Sequence, residues 1–336
     1  MKEGVRQVRH GWLVAPVIGV IAVAYFSLMS ASEFPEPGAN IEYDLKAFEE
    51  LDKVESAYTE LNPIAIDVPD ASALAVAGNK VYVAGKDRVA IYDESDKEIA
   101  SIATTGPATS LAAAVDGAVY VALRDRIHVF NANGSPEGEW TDFSSRSYLT
   151  AVSAVDEDVY VADAGNRVVY RMDRAGKVQE EIGVKDEDRD VPGLEVPSPY
   201  LDLAVNGDGD LWVVNPGKLG LERYRGDGSI VTSWYRPTVL QLDGFPGCCN
   251  PTHIAFTSQG ELITTEKGLV RVKKFDVTSG EFQGLVAGSA LFPKEQSVQD
   301  LAVDSEDRIL VLDARQNKVR RFAPKEKING STVQPA

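Results

Sequence analysis

The chain has 336 residues, and its 34 Lys and Arg stand against 51 Asp and Glu, a formal net charge of -17. That balance excludes a nucleic-acid backbone or an anionic membrane surface as the main partner, because the chain's own field would repel either one. The 2 cysteines are adjacent, Cys248 and Cys249, which excludes a disulfide framework of the small secreted type and leaves no paired zinc spacing.

Residues 1–11 carry Lys2, Arg6 and Arg9, and residues 12–30, WLVAPVIGVIAVAYFSLMS, follow without a charge. At the helical rise this run is roughly 28 Å long, the hydrocarbon thickness of a bilayer. Glu33, Glu36, Glu42 and Asp44 come next. The basic tail is therefore expected to stay cytoplasmic, with 12–30 as a single-pass transmembrane signal anchor and the rest periplasmic or extracellular. A cleaved signal peptide is the competing reading, with a small-residue site at Ser30-Ala31-Ser32. Residues 31–61 read as linker and helix: EFPEPGAN, then Ile41, Leu45, Phe48, Leu51, Val54, Tyr58 and Leu61 at steps of three and four. This spacing predicts an amphipathic helix ended by Pro63.

From Ala71 the chain repeats itself. A short apolar strand recurs as VYVA at Val81, Val119 and Val159, LWVV at Leu211, LITT at Leu262 and ILVL at Ile309, with starts 38, 40, 52, 51 and 47 residues apart. Each unit has an apolar strand before this anchor and a third strand after it, and units one to five add a fourth. Six units of four antiparallel strands predict an all-β, six-bladed β-propeller over 62–324, preceded by the transmembrane helix and the helical linker. Unit six lacks its fourth strand, because 325–336 is a polar tail. Residues 62–68, NPIAIDV, are expected to supply it and close the ring.

VYVADAGNRVVYRMDRAGKV (159–178) resembles an NHL repeat, and LAVDSEDRILVLDARQNKVRRF (301–322) is similar to it. The shared pattern lies at Asp163, Asn166 and Arg167-Val168, and at Asp313, Asn317 and Lys318-Val319, while units one and two lack the Asp and Asn. The resemblance covers about four fifths of the chain and implies the same six-bladed fold. Its implied roles range from protein or RNA binding platforms and sensors to relatives of lactonases and amidating lyases. Asp163 and Asp313 are expected to hydrogen-bond turn backbone.

Counting nine residues back from the anchor gives Asp202, His253 and Asp300 in units four to six. The same count gives Ser72, Ser110 and Thr150 in units one to three, or Ala73, Ala112 and Val152 if shorter turns are allowed for. An Asp-His-Asp arc at the channel could hold a divalent metal ion, or orient His253 as a general base; the alternative is that the Asp side chains cap inner-strand amides. Which cofactor would bind, if any, the sequence leaves unknown. Cys248 and Cys249 precede His253 in GFPGCCNPTH. A vicinal disulfide between them would need a distorted turn, since adjacent Cα atoms are about 3.8 Å apart. Two thiols, a thiolate-imidazole metal site or simple packing are the other readings. Insertions at 183–200 and 233–251 adjoin this half of the ring. Trp234, Tyr235, Arg236, Phe245, Cys248, Cys249 and Asn250 are therefore candidate ligand contacts. The expected function is an extracytoplasmic binding module for a protein or small-molecule ligand, with no nucleic-acid partner. A metal- or redox-dependent enzyme is the alternative.

Overall fold

A computed structural model describes residues 54–238, 241–292 and 300–326. The basic tail, the 12–30 anchor and residues 41–53 of the expected helix lie outside the described residues, as does most of the polar tail. Among the described residues no helix is long and apolar enough to cross a membrane.

Six four-stranded sheets form the blades, each an antiparallel meander in chain order, and the sixth is completed by the first strand, Tyr58–Ala65, paired with the last, Lys318–Pro324. Neighbouring inner strands touch all the way round the ring. The second strand of each blade is covered on both faces, so it reads as a continuous apolar run rather than an alternating one. Val119–Ala122, Leu211–Asn215, Leu262–Thr265 and Ile309–Asp313 are buried throughout. Outer strands such as Pro136–Trp140 are largely exposed. The core is six apolar clusters, one at each blade-to-blade interface. The sheets thus stack around the axis.

The closing strand starts earlier than its sequence suggests. Tyr58 and Leu61, expected at the end of a helix, pair with Pro324 and Arg321 in strand Tyr58–Ala65. Their three-residue spacing suits a helix, but the unpaired edge of Lys318–Pro324 offers backbone partners that local propensity cannot match. The register slips between Leu61 and Ile64, placing Asn62 and Pro63 in a bulge. Pro63 marks that bulge instead of a helix end, because the unpaired position needs no amide donor.

The repeated Asp of blades three and six does bind turn backbone. Asp163 Oδ1 accepts from Asn166 N at 3.1 Å and from Tyr148 N at 2.9 Å; Asp313 Oδ1 accepts from Gln316 N at 3.1 Å. The hydrogen bonds equate Asn166 with Gln316, and the left-handed Arg167 with the left-handed Asn317, one residue away from the pairing the letters suggest. Blades one and two turn differently, through Gly85 N to Arg88 O and Leu123 N to Arg126 O. NGDGD closes as a polar hairpin, with Asn206 Oδ1 accepting from Asp208 N and Asp210 N.

Candidate functional site

The inner strands all enter from one face of the ring, and their pairing with the second strands identifies six equivalent rim positions. Ala73 lies opposite Ala84, Ser110 opposite Ala122, Ala151 opposite Ala162 and His253 opposite Thr265. Asp202 lies opposite Val214 and Asp300 opposite Leu312, each donor amide bonding the Asp carbonyl. Counting nine back is thus correct for Ser110, Asp202, His253 and Asp300. It misplaces Ser72 and Thr150, and Ala112 and Val152 are not rim residues either. Blades one and three join their first two strands through two-residue turns, Gly78-Asn79 and Asp156-Glu157, so pairing runs further and their rim residue is one position nearer the anchor.

Blades two, four and six latch the next inner strand through this position. Ser110 Oγ accepts from Val152 N at 3.0 Å, Asp202 Oδ2 from Ile254 N at 2.8 Å, and Asp300 Oδ2 from Leu74 N at 2.7 Å. Blades one and three have alanine at the rim and use the hydroxyl one residue earlier: Ser72 Oγ donates to Ala108 O at 2.6 Å and Thr150 Oγ1 to Leu201 O at 2.5 Å. Blade five departs from both patterns. Its preceding hydroxyl, Thr252, bonds within the blade to Thr265, and its rim residue is His253.

His253 Nδ1 lies 3.6 Å from Asp300 Oδ1 and 4.0 Å from Asp202 Oδ2, and all three side chains are 15–19% exposed. Burial pushes His253 down to about 4. Burial pushes Asp300 up to about 7 against the backbone amides of Leu74 and Leu301, and burial together with the charge of Asp300 raises Asp202. The imidazole is therefore neutral at pH 7, with Nδ1 toward the carboxyl groups and Nε2 on the opposite side of the ring. Neither distance is a hydrogen bond, so the carboxyl groups stand beside the imidazole without fixing its orientation. The arrangement does not fit a metal: both carboxyl groups are committed to strand amides, and among the described residues no group of three His, Cys, Asp or Glu could hold an ion.

GFPGCCNPTH is firmly held. Phe245 is fully buried, its ring stacked on Trp234 at 6.2 Å and tilted against Phe275 at 5.3 Å. Trp234 is 8% exposed and donates Nε1 to Val277 O at 2.8 Å. These two aromatics are interface core between blades four and five instead of ligand contacts, since the long loop folds back over the blade edge. Tyr235 donates its hydroxyl to the fully buried Glu222 at 2.5 Å, and Arg236 Nη2 donates to Ser279 O at 3.1 Å. Asn250 is buried and braces the loop, Nδ2 donating to Pro246 O at 2.7 Å and Oδ1 accepting from Lys267 N at 2.9 Å. Both cysteines are thiols, Cys248 exposed and Cys249 buried with a left-handed backbone (φ 65°), so no vicinal disulfide is formed. Of the seven candidate contacts only Cys248 is exposed.

Two further features of the site carry no signal in the sequence. Lys267 Nζ sits 4.4 Å above the Tyr200 ring, joining the blade-five turn to the 183–200 insertion beside Asp202. Lys273, fully buried, donates to Leu242 O at 3.0 Å and Gly244 O at 2.5 Å and pairs with buried Glu266 at 2.6 Å. It pins the base of the loop, and burial lowers its pKa. A lysine in VRVKKFD reads as a solvated strand face, so no sequence signal marks it.

No family model matches the chain, and no curated protein matches it either. Solved structures do. A Bacteroides thetaiotaomicron protein of unknown function is 16% identical with a TM-score of 0.57, over 80% of this chain and 74% of that one. Virginiamycin B lyase from Staphylococcus aureus is 16% identical with a TM-score of 0.54, over 80% and 99%. The WD40 β-propeller domain of Doa1 is 12% identical with a TM-score of 0.54, over 81% and 99%. At these identities the likeness establishes the propeller fold.

Proposed function

We propose that this chain is an NHL-type propeller acting as an extracytoplasmic binding module, tethered by residues 12–30, whose protein or small-molecule ligand engages the channel mouth at blades four to six. One observation carries the reading. At the rim position where blades one and three have alanine and lose nothing, blade five places an imidazole between two carboxyl groups. His253 latches no neighbouring strand, unlike Ser110, Asp202 and Asp300, which suits its imidazole to contact with something else. Lys267, Tyr200 and Cys248 extend the surface. The test is a thermal-shift screen of a small-molecule library against the wild-type chain and His253→Ala. A ligand that raises the melting temperature of the wild type alone supports the reading; ligands that stabilise both equally count against it.

A neutral imidazole beside two carboxyl groups favours a second reading, an enzyme in which His253 takes a proton from substrate. Two of the similar folds are lyases by name, virginiamycin B lyase and a streptogramin B lyase that is 14% identical with a TM-score of 0.51 over 79% of this chain and 97% of that one. Incubation with a streptogramin B antibiotic, followed by chromatography, tests it. Turnover that falls by about 10²- to 10⁴-fold in His253→Ala supports the enzyme reading. Turnover indifferent to that change removes His253 from the chemistry.

A further inference from the structure

On the face from which the inner strands enter, across the ring from blades five and six, adjoining segments of blades two and three carry three exposed arginines. Arg124 is in the turn after the second strand of blade two, Val119–Ala122. Arg146 is in the loop that leads to the inner strand of blade three, Leu149–Val155, and Arg167 is in the turn after the second strand of that blade, Asp158–Asp163. Their backbones are joined, Leu149 N donating to Arg124 O at 2.8 Å and Ala164 N to Tyr148 O at 2.9 Å. Gly165 packs so closely on the loop that a Cβ there would meet Arg146 O at 1.9 Å.

Carboxylates are in excess in a chain of net charge -17, and arginines elsewhere are paired with them: Arg88 with Glu98 at 2.6 Å, Arg223 with Asp210 at 2.8 Å, Arg320 with Glu60 at 2.7 Å. Among the described residues Arg124, Arg146 and Arg167 have no carboxylate within ion-pair distance. The acids nearest in the chain are engaged. Asp163 is fully buried and accepts from Tyr148 N, Asn166 N and Asn166 Nδ2, while Asp125 pairs with Arg126 at 3.0 Å. Asp142 is exposed at the outer end of the loop, just past strand Pro136–Trp140. The backbone under the arginines is braced, Asn166 Nδ2 donating to Ser144 Oγ at 2.8 Å and Ser147 Oγ at 3.0 Å, and Arg167 is left-handed (φ 58°). Tyr148 is 36% exposed, with the Arg124 guanidinium 5.7 Å from its ring centre. Guanidinium forks match carboxylates two bonds at a time, and Arg and Tyr are the side chains that most often anchor protein interfaces. The patch is only a few side chains wide and is set in a negative field. A phosphodiester chain or an anionic bilayer extends beyond it and is repelled, whereas a short acidic peptide fits within it.

We propose that this patch docks an acidic segment of a partner protein, whose carboxylates pair with Arg124, Arg146 and Arg167 while an adjoining apolar side chain packs on Tyr148. Because the loop and the two turns are already tied to one another, docking orders side chains only, which keeps its entropic cost low. The proposal is independent of either reading of the channel mouth, since none of its residues contacts His253.

The test is fluorescence polarisation of the full-length chain at pH 7 with the rhodamine-labelled peptide EEFEE, and with QQFQQ and EESEE in parallel. Saturable binding of EEFEE that weakens as salt is raised is expected, with weaker binding of EESEE and none of QQFQQ. Arg146→Gln combined with Arg167→Asn should lower the affinity about tenfold, the worth of two exposed ion pairs. Both side chains are exposed and asparagine keeps the left-handed backbone, so the melting temperature of this variant should match the wild type. Arg225→Gln combined with Arg315→Gln, the same charge change at exposed sites on blades four and six, should leave binding unchanged. A single-stranded oligonucleotide is the competitor. Absence of saturable binding, equal binding of QQFQQ or EESEE, an unaffected Arg146 and Arg167 variant, equal weakening by the Arg225 and Arg315 variant, or an oligonucleotide that binds the same arginines more tightly than EEFEE would overturn the proposal.

Discussion

His253 and Asp300 depart from their ordinary protonation in opposite directions, and the signs can be separated. The folded state pushes Asp300 up to about 7, so its contribution to stability is complete below the unfolded value near 3.8 and is lost as pH rises through 7. It pushes His253 down to about 4, so that contribution is present above 6.5 and is lost as pH falls toward 4. The two effects oppose each other across the same window and flatten the wild-type profile. Asp300→Asn, which retains an acceptor for Leu74 N, should gain melting temperature relative to wild type as pH rises from 4 to 7. His253→Gln should gain relative to wild type as pH falls from 6.5 to 4. Parallel differential scanning calorimetry at several pH values checks both, and variant-minus-wild-type differences that do not change with pH would show that neither group titrates as described. Lys273 is the other decisive residue. Its removal leaves Glu266 buried without that counter-charge and releases the carbonyls of Leu242 and Gly244, so Lys273→Ala should cost about 3–5 kcal/mol in urea unfolding.

At the scale of elements, the closing strand carries the clearest load. Ile64 is 1% exposed in the cluster between blades six and one, so Ile64→Ala should cost roughly 2–5 kcal/mol, measured as a lower urea midpoint. Arg320 ties the same strand from the other side, holding both oxygens of Glu60 at 2.7 Å and Leu291 O at 2.8 Å. The second strands were legible because burial on both faces leaves few residue choices, which is why VYVA recurs. The path of Tyr58 to Leu61 was not, since the same apolar spacing suits a helix until an edge strand is present to pair with it. Trp234 and Phe245 read as rim contacts for a similar reason: an aromatic in a long loop looks alike whether the loop faces solvent or folds back over a blade.

For the whole molecule, stability is spread over six similar interfaces instead of one central core. Removing residues 54–65 should therefore do more than fray one edge, because it opens the blade six interfaces with both blade five and blade one. A single melting transition at an unchanged temperature in that truncation would contradict this cooperativity. The number of blades and their order follow from the repeat period. The identity of the rim residues did not, because one residue in hairpin length decides whether Ser72 or Ala73, and Thr150 or Ala151, occupies the inner ring. Asp202, His253 and Asp300 were found because their three hairpins share the longer turn.

The alternation around the rim has a bearing on alteration of this scaffold. Even-numbered blades commit their rim side chain to the neighbouring strand, whereas Ala73 and Ala151 leave that duty to the hydroxyls of Ser72 and Thr150. The odd-numbered rim side chains latch nothing, yet Ala73 and Ala151 are packed into the interface clusters at 0% and 3% exposure, and His253 alone is large. An imidazole introduced by Ala151→His would have to displace that packing, so the frame itself confines a large rim side chain to blade five.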